Sequence, residues 1–244
     1  MFGLTIGSFL NVVICRLETN ESILISRSHC PKCKVILKWY DLIPVLSFLI
    51  QKGKCRYCMK RISWQYPIVE ISTACLFLLI FNFQFSIFNL IYYLIIISFL
   101  IIIFVYDLKY YLILDKVIFP AIIIVGIFNF LISPEGWQFS ILSAFGASLF
   151  FLSLVLISKG EWMGLGDVKF AFLMGLILSW PNILLALFLS FFSGAIVGIT
   201  LILFGKKGFK SQIPFGPFLS GSTILIIIYG EYIIELYQNM FWFF

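Results

Sequence analysis

The chain has 244 residues, of which 62% are apolar and 11% are charged, and its mean hydropathy is +1.09. These values exclude an ordinary water-soluble domain and predict an integral membrane protein. The net charge is +6, but we do not expect nucleic-acid binding, because basic loops beside anionic lipid headgroups account for this charge.

Uncharged runs of about 20 residues, long enough to cross the hydrocarbon core of a bilayer, occupy most of the chain. They predict an all-α integral membrane protein with about eight transmembrane helices. The predicted spans are 1–17, 66–82, 87–106, 113–132, 138–157, 165–180, 182–204 and 217–237. Three parts follow: a first transmembrane helix (1–17), a small cytosolic four-cysteine module (18–65) and a polytopic membrane domain (66–244).

The first span is short for a membrane helix. Only about 14 uncharged residues precede Arg16, which corresponds to roughly 21 Å of helix. The segment has no basic region before it and no small-residue cleavage site, so it is not a secretory signal peptide. We expect a membrane helix whose N-terminal residues are missing from the sequence, which a mis-assigned start codon would explain.

Lysine and arginine occur on alternate connections between the spans. Residues 16–61 hold ten of the seventeen, and the others are Lys109, Lys116, Lys159, Lys169, Lys206, Lys207 and Lys210. The stretches 83–86 and 133–137 and the turn around Pro181 hold none. Because short loops rich in Lys and Arg stay in the cytoplasm, residues 18–65 are predicted to be cytoplasmic and the chain to end outside.

Two CxxC pairs, Cys30-Pro-Lys-Cys33 and Cys55-Arg-Tyr-Cys58, lie in the one stretch polar enough to fold in water. Their spacing is close to that of four-cysteine zinc ribbons and predicts a structural Zn²⁺ bound by Cys30, Cys33, Cys55 and Cys58. A module this small needs such a metal, because it buries too little apolar surface to fold alone. Disulfides or redox-active dithiols are the alternative, which a reducing cytoplasm disfavours.

The other metal-binding side chains have simpler explanations. Cys15 and Cys75 fall in apolar spans, where we expect buried, small hydrophobic side chains. His29 is the only histidine of the chain and adjoins Cys30. We expect neither a metal nor a catalytic role for it, because four thiolates complete a tetrahedral site.

Acidic residues are costly near membrane spans, so each one needs an explanation. Asp107 follows the uncharged run 87–106, and Asp167 stands in Gly164-Leu-Gly166-Asp167-Val-Lys169 at the start of another span. Both fall at predicted cytoplasmic ends, where two carboxylates can share one proton and act as general acid and base on a peptide bond. The alternatives are an N-cap at Asp167 and a snorkelling interfacial charge at Asp107.

The helix ends at the two aspartates differ. Asp107 is predicted at a C-terminus, the negative end of the helix dipole, and Asp167 near an N-terminus, the positive end, so we expect Asp167 to ionise first. The pH profiles of the two single Asn variants test this order. Gly164 and Gly166 are expected to permit backbone turns closed to other residues and the close approach of a substrate strand.

Several segments, in order along the chain, resemble the type IV prepilin peptidases, a family of GxGD membrane aspartic proteases. Residues 7–16 resemble the family's opening signature, and 27–33, Trp39, Ile43-Pro44 and 55–58 resemble its cytosolic zinc module. The likeness continues through 66–70, through Asp107 with Asp115, through the GxGD block at 164–169 and through the late signature at 213–218.

The resemblance implies an aspartic endopeptidase with Asp107 and Asp167 as catalytic residues in a membrane peptidase domain, 66–244. It implies cleavage of the basic leader of type IV prepilins or pseudopilins after a glycine, at the cytoplasmic face of the bacterial inner membrane. It also implies N-methylation of the new N-terminus with S-adenosylmethionine, for which the sequence contains no recognisable donor pocket. Glu70 is a candidate contributor, and its alternative is an interfacial acid paired with Lys60 or Arg61.

One departure from the family pattern concerns Asp115. Leu114 stands where the family usually has Pro, and we therefore expect Asp115 to be structural, as an N-cap of the following span. Two other functions stay open: an enzyme that only transfers methyl groups, and a non-catalytic zinc-ribbon membrane scaffold or transporter. A scaffold needs neither carboxylate, and a transporter more often has polar residues or broken helices near mid-span.

Overall fold

A computed structural model describes residues 1–19, 21–22, 27–83, 86–132, 136–205 and 212–241. These residues form helices joined by irregular segments. The helices are α1 (Phe2–Thr19), α2 (Leu46–Ile50), α3 (Gln65–Asn82), α4 (Ile87–Tyr110), α5 (Asp115–Ile132), α6 (Trp137–Ile157), α7 (Leu165–Leu178), α8 (Asn182–Leu203) and α9 (Gly216–Phe241). One 3-10 turn, Trp39–Leu42, precedes α2.

Within the described residues, seven helices are long and apolar enough to cross a membrane, namely all except α2 and α7. Each overlaps a predicted span, so the predicted all-α membrane fold is confirmed. The remaining predicted span, 165–180, corresponds to α7, whose 14 residues make a helix of about 21 Å. Helix α4 continues past residue 106, and Asp107 therefore lies inside its last turn rather than after it.

The chain forms two compact units, residues 1–102 and 103–244. The first contains α1 to α3 and most of α4, and the second contains the end of α4 and α5 to α9. The three-part division into 1–17, 18–65 and 66–244 remains a prediction.

In the first unit, α1 packs against α3 through small residues. A Cβ atom added at Gly3 would lie 2.7 Å from the Cα of Ala74, and one added at Gly7 would lie 2.7 Å from the Cα of Glu70. Small residues at such crossings let membrane helices approach closely, so that dispersion contacts between their backbones hold them together.

In the second unit, α7 is surrounded by other helices of the unit despite its short length. A Cβ atom added at Gly175 would lie 2.4 Å from the Cα of Ala144 in α6, and Phe170 and Met174 are fully buried. Helix α7 also contacts α5, α8 and α9. Because α7 is packed on several sides, the position of its first turn is tightly defined.

The prediction of buried side chains for Cys15 and Cys75 was wrong for Cys75, which is exposed on α3, and only partly right for Cys15, which is half-buried. The Cys15 Sγ lies 3.2 Å from the Tyr66 hydroxyl. An apolar side chain in a membrane span need not face the protein interior, because lipid is an equally apolar environment.

Candidate active site and metal centre

Asp107 is almost fully buried, with 4% of its surface exposed. Its Oδ2 accepts a hydrogen bond of 2.9 Å from the backbone amide of Gly216. Gly216 is the first residue of α9, so the carboxylate satisfies one of the unpaired amides at the start of that helix. A carboxylate this deeply buried needs such a partner, since an unpaired one would be strongly disfavoured.

Asp167 lies in the first turn of α7 and is partly buried. Its Oδ2 accepts a hydrogen bond of 3.1 Å from the backbone amide of Gly164, the residue before the helix. This is the acidic half of a capping box, in which the third helical residue reaches back to the N-cap amide. Asp167 therefore does cap α7, although from inside the helix and not from the N-cap position.

The structure brings the carboxylates of Asp107 and Asp167 close enough for their charges to interact. Among the described residues, neither Oδ1 accepts a hydrogen bond, while each Oδ2 accepts one from a backbone amide. Like charges within range of each other disfavour ionisation of both carboxyl groups at once. The arrangement is thus chemically suited to acid–base work, and the catalytic role of the pair remains a prediction.

The expected order of ionisation at Asp107 and Asp167 rested on their opposite helix ends. The amide of Gly216 changes this comparison, because it brings the positive end of α9 to Asp107 as well. Both carboxylates therefore lie at a helix N-terminus. The prediction that Asp167 ionises first is untested. The difference between helix ends no longer supports it.

The backbone turns expected at the glycines before Asp167 are absent, and the close approach of a substrate strand to them stays a prediction. Gly164 has a φ of −88°, and Gly166 is not among the glycines with positive φ, so neither backbone conformation requires glycine. A Cβ atom at Gly166 would lie 3.1 Å from the Cβ of Ile113, whereas one at Gly164 would meet nothing closer than 3.8 Å. Gly166 therefore allows close approach to this chain's own Ile113, in the connection between α4 and α5.

Asp115 is the first residue of α5, one position after the N-cap that the sequence predicted for it. Its Oδ1 accepts a hydrogen bond of 2.6 Å from the Lys169 Nζ, which also lies 5.4 Å from the ring centre of Phe119. The ion pair joins the start of α5 to the start of α7. Its lysine, Lys169, stands two residues after Asp167 in α7. Asp115 thus takes part in an ion pair between helices, in keeping with the structural role expected for it, but it is not a cap.

The four predicted metal ligands, Cys30, Cys33, Cys55 and Cys58, form one cluster whose sulfur atoms all lie within 4.8 Å of one another. Tetrahedral zinc–thiolate bonds of about 2.3 Å require sulfurs roughly 3.8 Å apart. The cluster therefore fits a single tetrahedral ion after small side-chain adjustments.

The two CxxC turns have matching backbones. The Cys30 amide donates to the Val35 carbonyl at 3.0 Å, and the amide of Lys34, which has a φ of 60°, donates back to the Cys30 carbonyl at 2.8 Å. The second turn repeats both bonds from Cys55, with Met59 at the position of Lys34 and a φ of 56°. Paired turns of this kind direct the four thiols towards one centre.

The environment of Cys30 also suits metal binding. Burial disfavours its thiolate, but hydrogen bonds from the backbone of Cys33 and Lys32 favour it and lower its pKa to about 7. At Cys33 a backbone hydrogen bond also favours the thiolate, but burial and the neighbouring Cys30 raise the pKa to about 11. Two thiols that cannot easily ionise together would both ionise when a cation binds them. His29 lies outside the cluster, with its Nε2 3.7 Å from the Glu21 carboxylate.

Asp41, which no motif in the sequence marks, organises the rest of the cysteine module. Its carboxylate accepts hydrogen bonds of 3.1 Å from Gln51 and Tyr57 and lies 3.2 Å from the Nε of Arg56. Loss of solvent contact and the bond to Asp41 raise the pKa of Tyr57 to about 12. These partners lie 10 to 16 residues along the chain from Asp41, too far for a local motif to mark it.

Glu70 is buried in α3 and accepts a hydrogen bond of 2.7 Å from the amide of Val45. Within the described residues it pairs with neither Lys60 nor Arg61, so the alternative of an interfacial acid paired with one of them was wrong. The reason is depth, because Glu70 lies more than one turn inside a helix that is apolar enough to span the membrane.

No methyl-donor pocket can be assigned from the described residues. A groove of about 690 Å³ between α6 and α8 is lined by apolar side chains, among them Phe139, Leu142 and Phe188. Such a lining does not fit the charged sulfonium and amino-acid groups of S-adenosylmethionine.

Comparison with known proteins agrees with the motifs. Residues 1–84 match the bacterial peptidase A24 N-terminal domain, and residues 94–199 match the type IV leader peptidase family. A prepilin leader peptidase/N-methyltransferase of Bacillus subtilis (strain 168) is 36% identical over 98% of this chain and 96% of its own length.

Proteins of the same name from Legionella pneumophila and Aeromonas salmonicida (strain A449) are each 31% identical, over 97% and 98% of this chain and 92% of their own lengths. No solved structure matches the chain. With both family domains present and relatives that align along almost its whole length, the chain belongs to the prepilin leader peptidase/N-methyltransferase family and is a peptidase.

Proposed function

We propose that this chain is an aspartic endopeptidase that removes the leader of type IV prepilins or pseudopilins, with Asp107 and Asp167 as its catalytic pair. The observation that carries the proposal is the approach of these two carboxylates, one from the end of α4 and one from the start of α7, to within range of charge interaction. The names of the relatives support the substrate class.

In the proposed reaction, the ionised aspartate takes a proton from water as the water oxygen attacks the scissile carbonyl carbon. The protonated aspartate hydrogen-bonds the carbonyl oxygen, and a proton then passes to the leaving nitrogen as the carbon–nitrogen bond breaks. The amides of Gly216 and Gly164 hold one oxygen of each carboxylate. The other oxygen of each accepts no hydrogen bond within the described part of the chain, and it is the one that bonds water or substrate in this reaction.

We propose that cleavage follows a glycine and occurs at the cytoplasmic face of the bacterial inner membrane. The excess of basic residues in 16–61 supports a cytoplasmic cysteine module. A basic leader would stay on that side while the apolar helix of the prepilin enters the membrane. The junction between the leader and this helix would then lie at the same depth in the membrane as Asp107 and Asp167. Prepilin and membrane lipid are the partners in this proposal, and nucleic acid is not.

We further propose that the four cysteines bind a structural Zn²⁺. Bound there, the ion would supply folding free energy to a module that has little core of its own. Four protein ligands complete its coordination, so it would leave no open position for chemistry.

A second activity, N-methylation of the new N-terminus with S-adenosylmethionine, is proposed from the names of the relatives alone. Bound S-adenosylmethionine would supply the methyl group to a deprotonated amine. The described residues offer no site to which we can assign it.

The test is cleavage of a synthetic prepilin junction by purified protein in lipid, with products read by mass spectrometry. Wild type should cut after the glycine, and Asp107→Asn and Asp167→Asn should each abolish cleavage. Glu161→Gln is the matched control, because Glu161 is an exposed acid in the connection before α7 and should keep wild-type activity.

Persistent cleavage in either Asn variant would overturn the assignment of the pair. No cleavage by wild type across several prepilin leaders would favour the scaffold alternative. When S-adenosylmethionine is added, a gain of one methyl group on the mature product would establish the second activity, and methylation without cleavage by wild type would favour an enzyme that only transfers methyl groups.

A further inference from the structure

The short helix α2 carries an apolar face that the protein does not cover. Leu46, Leu49 and Ile50 are 52%, 61% and 74% exposed. They occupy positions i, i+3 and i+4, which lie on one side of a helix. A water-soluble surface seldom exposes such a contiguous apolar patch without a binding partner.

A contact with Trp64 sets the depth of α2. Phe48, on the opposite side of α2, is buried with its ring centre 5.0 Å from that of Trp64. Trp64 directly precedes α3, which is apolar and long enough to span the membrane. Tryptophans at the ends of spans lie at headgroup level, so the contact brings α2 to the membrane interface.

A hydrogen bond to Glu70 independently indicates that α2 lies at the membrane interface. The amide of Val45, the residue before α2, donates to the Glu70 carboxylate at 2.7 Å. Glu70 is five residues into α3, which corresponds to about 7.5 Å along the helix axis. The start of α2 therefore lies beside the first turns of a membrane span and not above them.

The backbone at this point is strained. The Leu46 amide donates to the Pro44 carbonyl at 2.6 Å, and Val45 between them has φ 60° and ψ −48°. These values describe a γ-turn of the rare form, which is unfavourable for a β-branched residue. The buried carboxylate of Glu70 accepts the hydrogen bond of the Val45 amide. This bond fixes the turn against α3, and the direction of α2 is fixed with it.

Charge identifies the partner of the exposed face. Five basic residues of the same module are exposed and follow α2 in the sequence, namely Lys52, Lys54, Arg56, Lys60 and Arg61. An apolar helical face next to lysine and arginine is the combination that binds anionic bilayers, with apolar side chains among the acyl chains and cations at the headgroups.

We propose that α2 is an interfacial membrane anchor, with Leu46, Leu49 and Ile50 inserted among the acyl chains of the leaflet on the side of the cysteine module. The anchor holds the module flat against the bilayer. The proposal does not depend on the aspartate chemistry, so the two can fail separately.

The test uses the full-length protein in vesicles of phosphatidylethanolamine and phosphatidylglycerol, with p-benzoylphenylalanine in place of Ile50. Light should attach a phospholipid to the protein, as measured by intact mass. The same photoreactive residue in place of Lys34, whose side chain is 66% exposed in the first CxxC turn, should capture no lipid.

Equal lipid capture at both positions, or none at Ile50, would overturn the proposal. Loss of the lipid adduct at Ile50 in favour of a prepilin adduct, when prepilin is present, would instead assign the face to the substrate. Bound metal shows that the cysteine module is folded. If the Ile50 variant does not retain its metal, p-benzoylphenylalanine in place of Leu49 tests a second position on the same face.

Discussion

The backbone amide of Gly216 donates a hydrogen bond of 2.9 Å to the Oδ2 of Asp107, 109 residues away in the chain. A Cβ atom at residue 216 would lie only 2.6 Å from that oxygen. The first residue of α9 must therefore lack a side chain for the carboxylate of α4 to reach the helix terminus. This contact joins the late segment 213–218 to the candidate active site.

We predict that Gly216→Ala reduces kcat for prepilin cleavage, because the added methyl group would displace the Asp107 carboxylate. A displacement of about 1 Å commonly costs roughly 100-fold in rate. KM should change much less, since Asp107 is buried and contributes little surface for leader binding. Steady-state kinetics on a prepilin peptide measure both constants.

Gly221→Ala is the matched control for Gly216→Ala. Gly221 lies in the same helix, and a Cβ atom there would meet nothing within 4 Å. The kcat of the Gly221→Ala variant should equal that of wild type. Equal kinetics for the two alanine variants would contradict the positioning role of Gly216.

The ion pair between Asp115 and Lys169 should contribute little to stability, because both side chains are more than a third exposed. We predict that Asp115→Asn and Lys169→Met each lower the free energy of unfolding by about 0.2–1 kcal/mol. The double variant should be no less stable than the worse single variant. Thermal unfolding in detergent measures this, and additive losses would show that the two side chains act separately.

Removal of one cysteine ligand should release the metal and unfold the cysteine module. We predict that Cys55→Ser loses bound zinc, because three thiolates cannot complete the tetrahedral site. Elemental analysis of the purified protein gives the zinc-to-protein ratio. Cys75→Ser, at an exposed position outside the cluster, should keep one zinc per chain. A full zinc content in Cys55→Ser would contradict the ligand assignment.

The bond between Glu70 and Val45 should matter more than a surface contact. Glu70→Ala leaves the Val45 amide without its acceptor, which should cost about 1–3 kcal/mol of stability. Glu70→Gln keeps a carbonyl oxygen that can accept the same bond, so its loss should be smaller. The melting temperatures of the two variants measure both losses of stability. Equal losses would mean that Glu70 stabilises the protein by packing and not by this hydrogen bond.

Val45→Gly tests the strain at the same turn. Glycine adopts positive φ without the steric cost borne by valine, so we predict a melting temperature equal to or above that of wild type. A large loss would indicate that the valine side chain contributes packing that outweighs the strain.

Some features were predictable because they depend on residues that are close in sequence. The spans follow from runs of apolar residues, since a helix must be continuously apolar to cross a bilayer. The cysteine cluster follows from two local turns, in which Cys30 and Cys33, and Cys55 and Cys58, are three residues apart. The backbone turn expected at Gly164 is absent, and the cap expected at Asp115 is replaced by an ion pair between helices, because local motifs do not specify which helix packs nearby.

The sequence by itself determined that this chain is an all-α membrane protein with a four-thiol cluster, because hydropathy and CxxC spacing are local properties. Only the tertiary structure decided that α9 supplies an amide to Asp107, that Lys169 pairs with Asp115 and that Glu70 supports the turn before α2. Each of these contacts joins residues 25 or more positions apart. Their formation depends on how helices pack, which no single segment encodes.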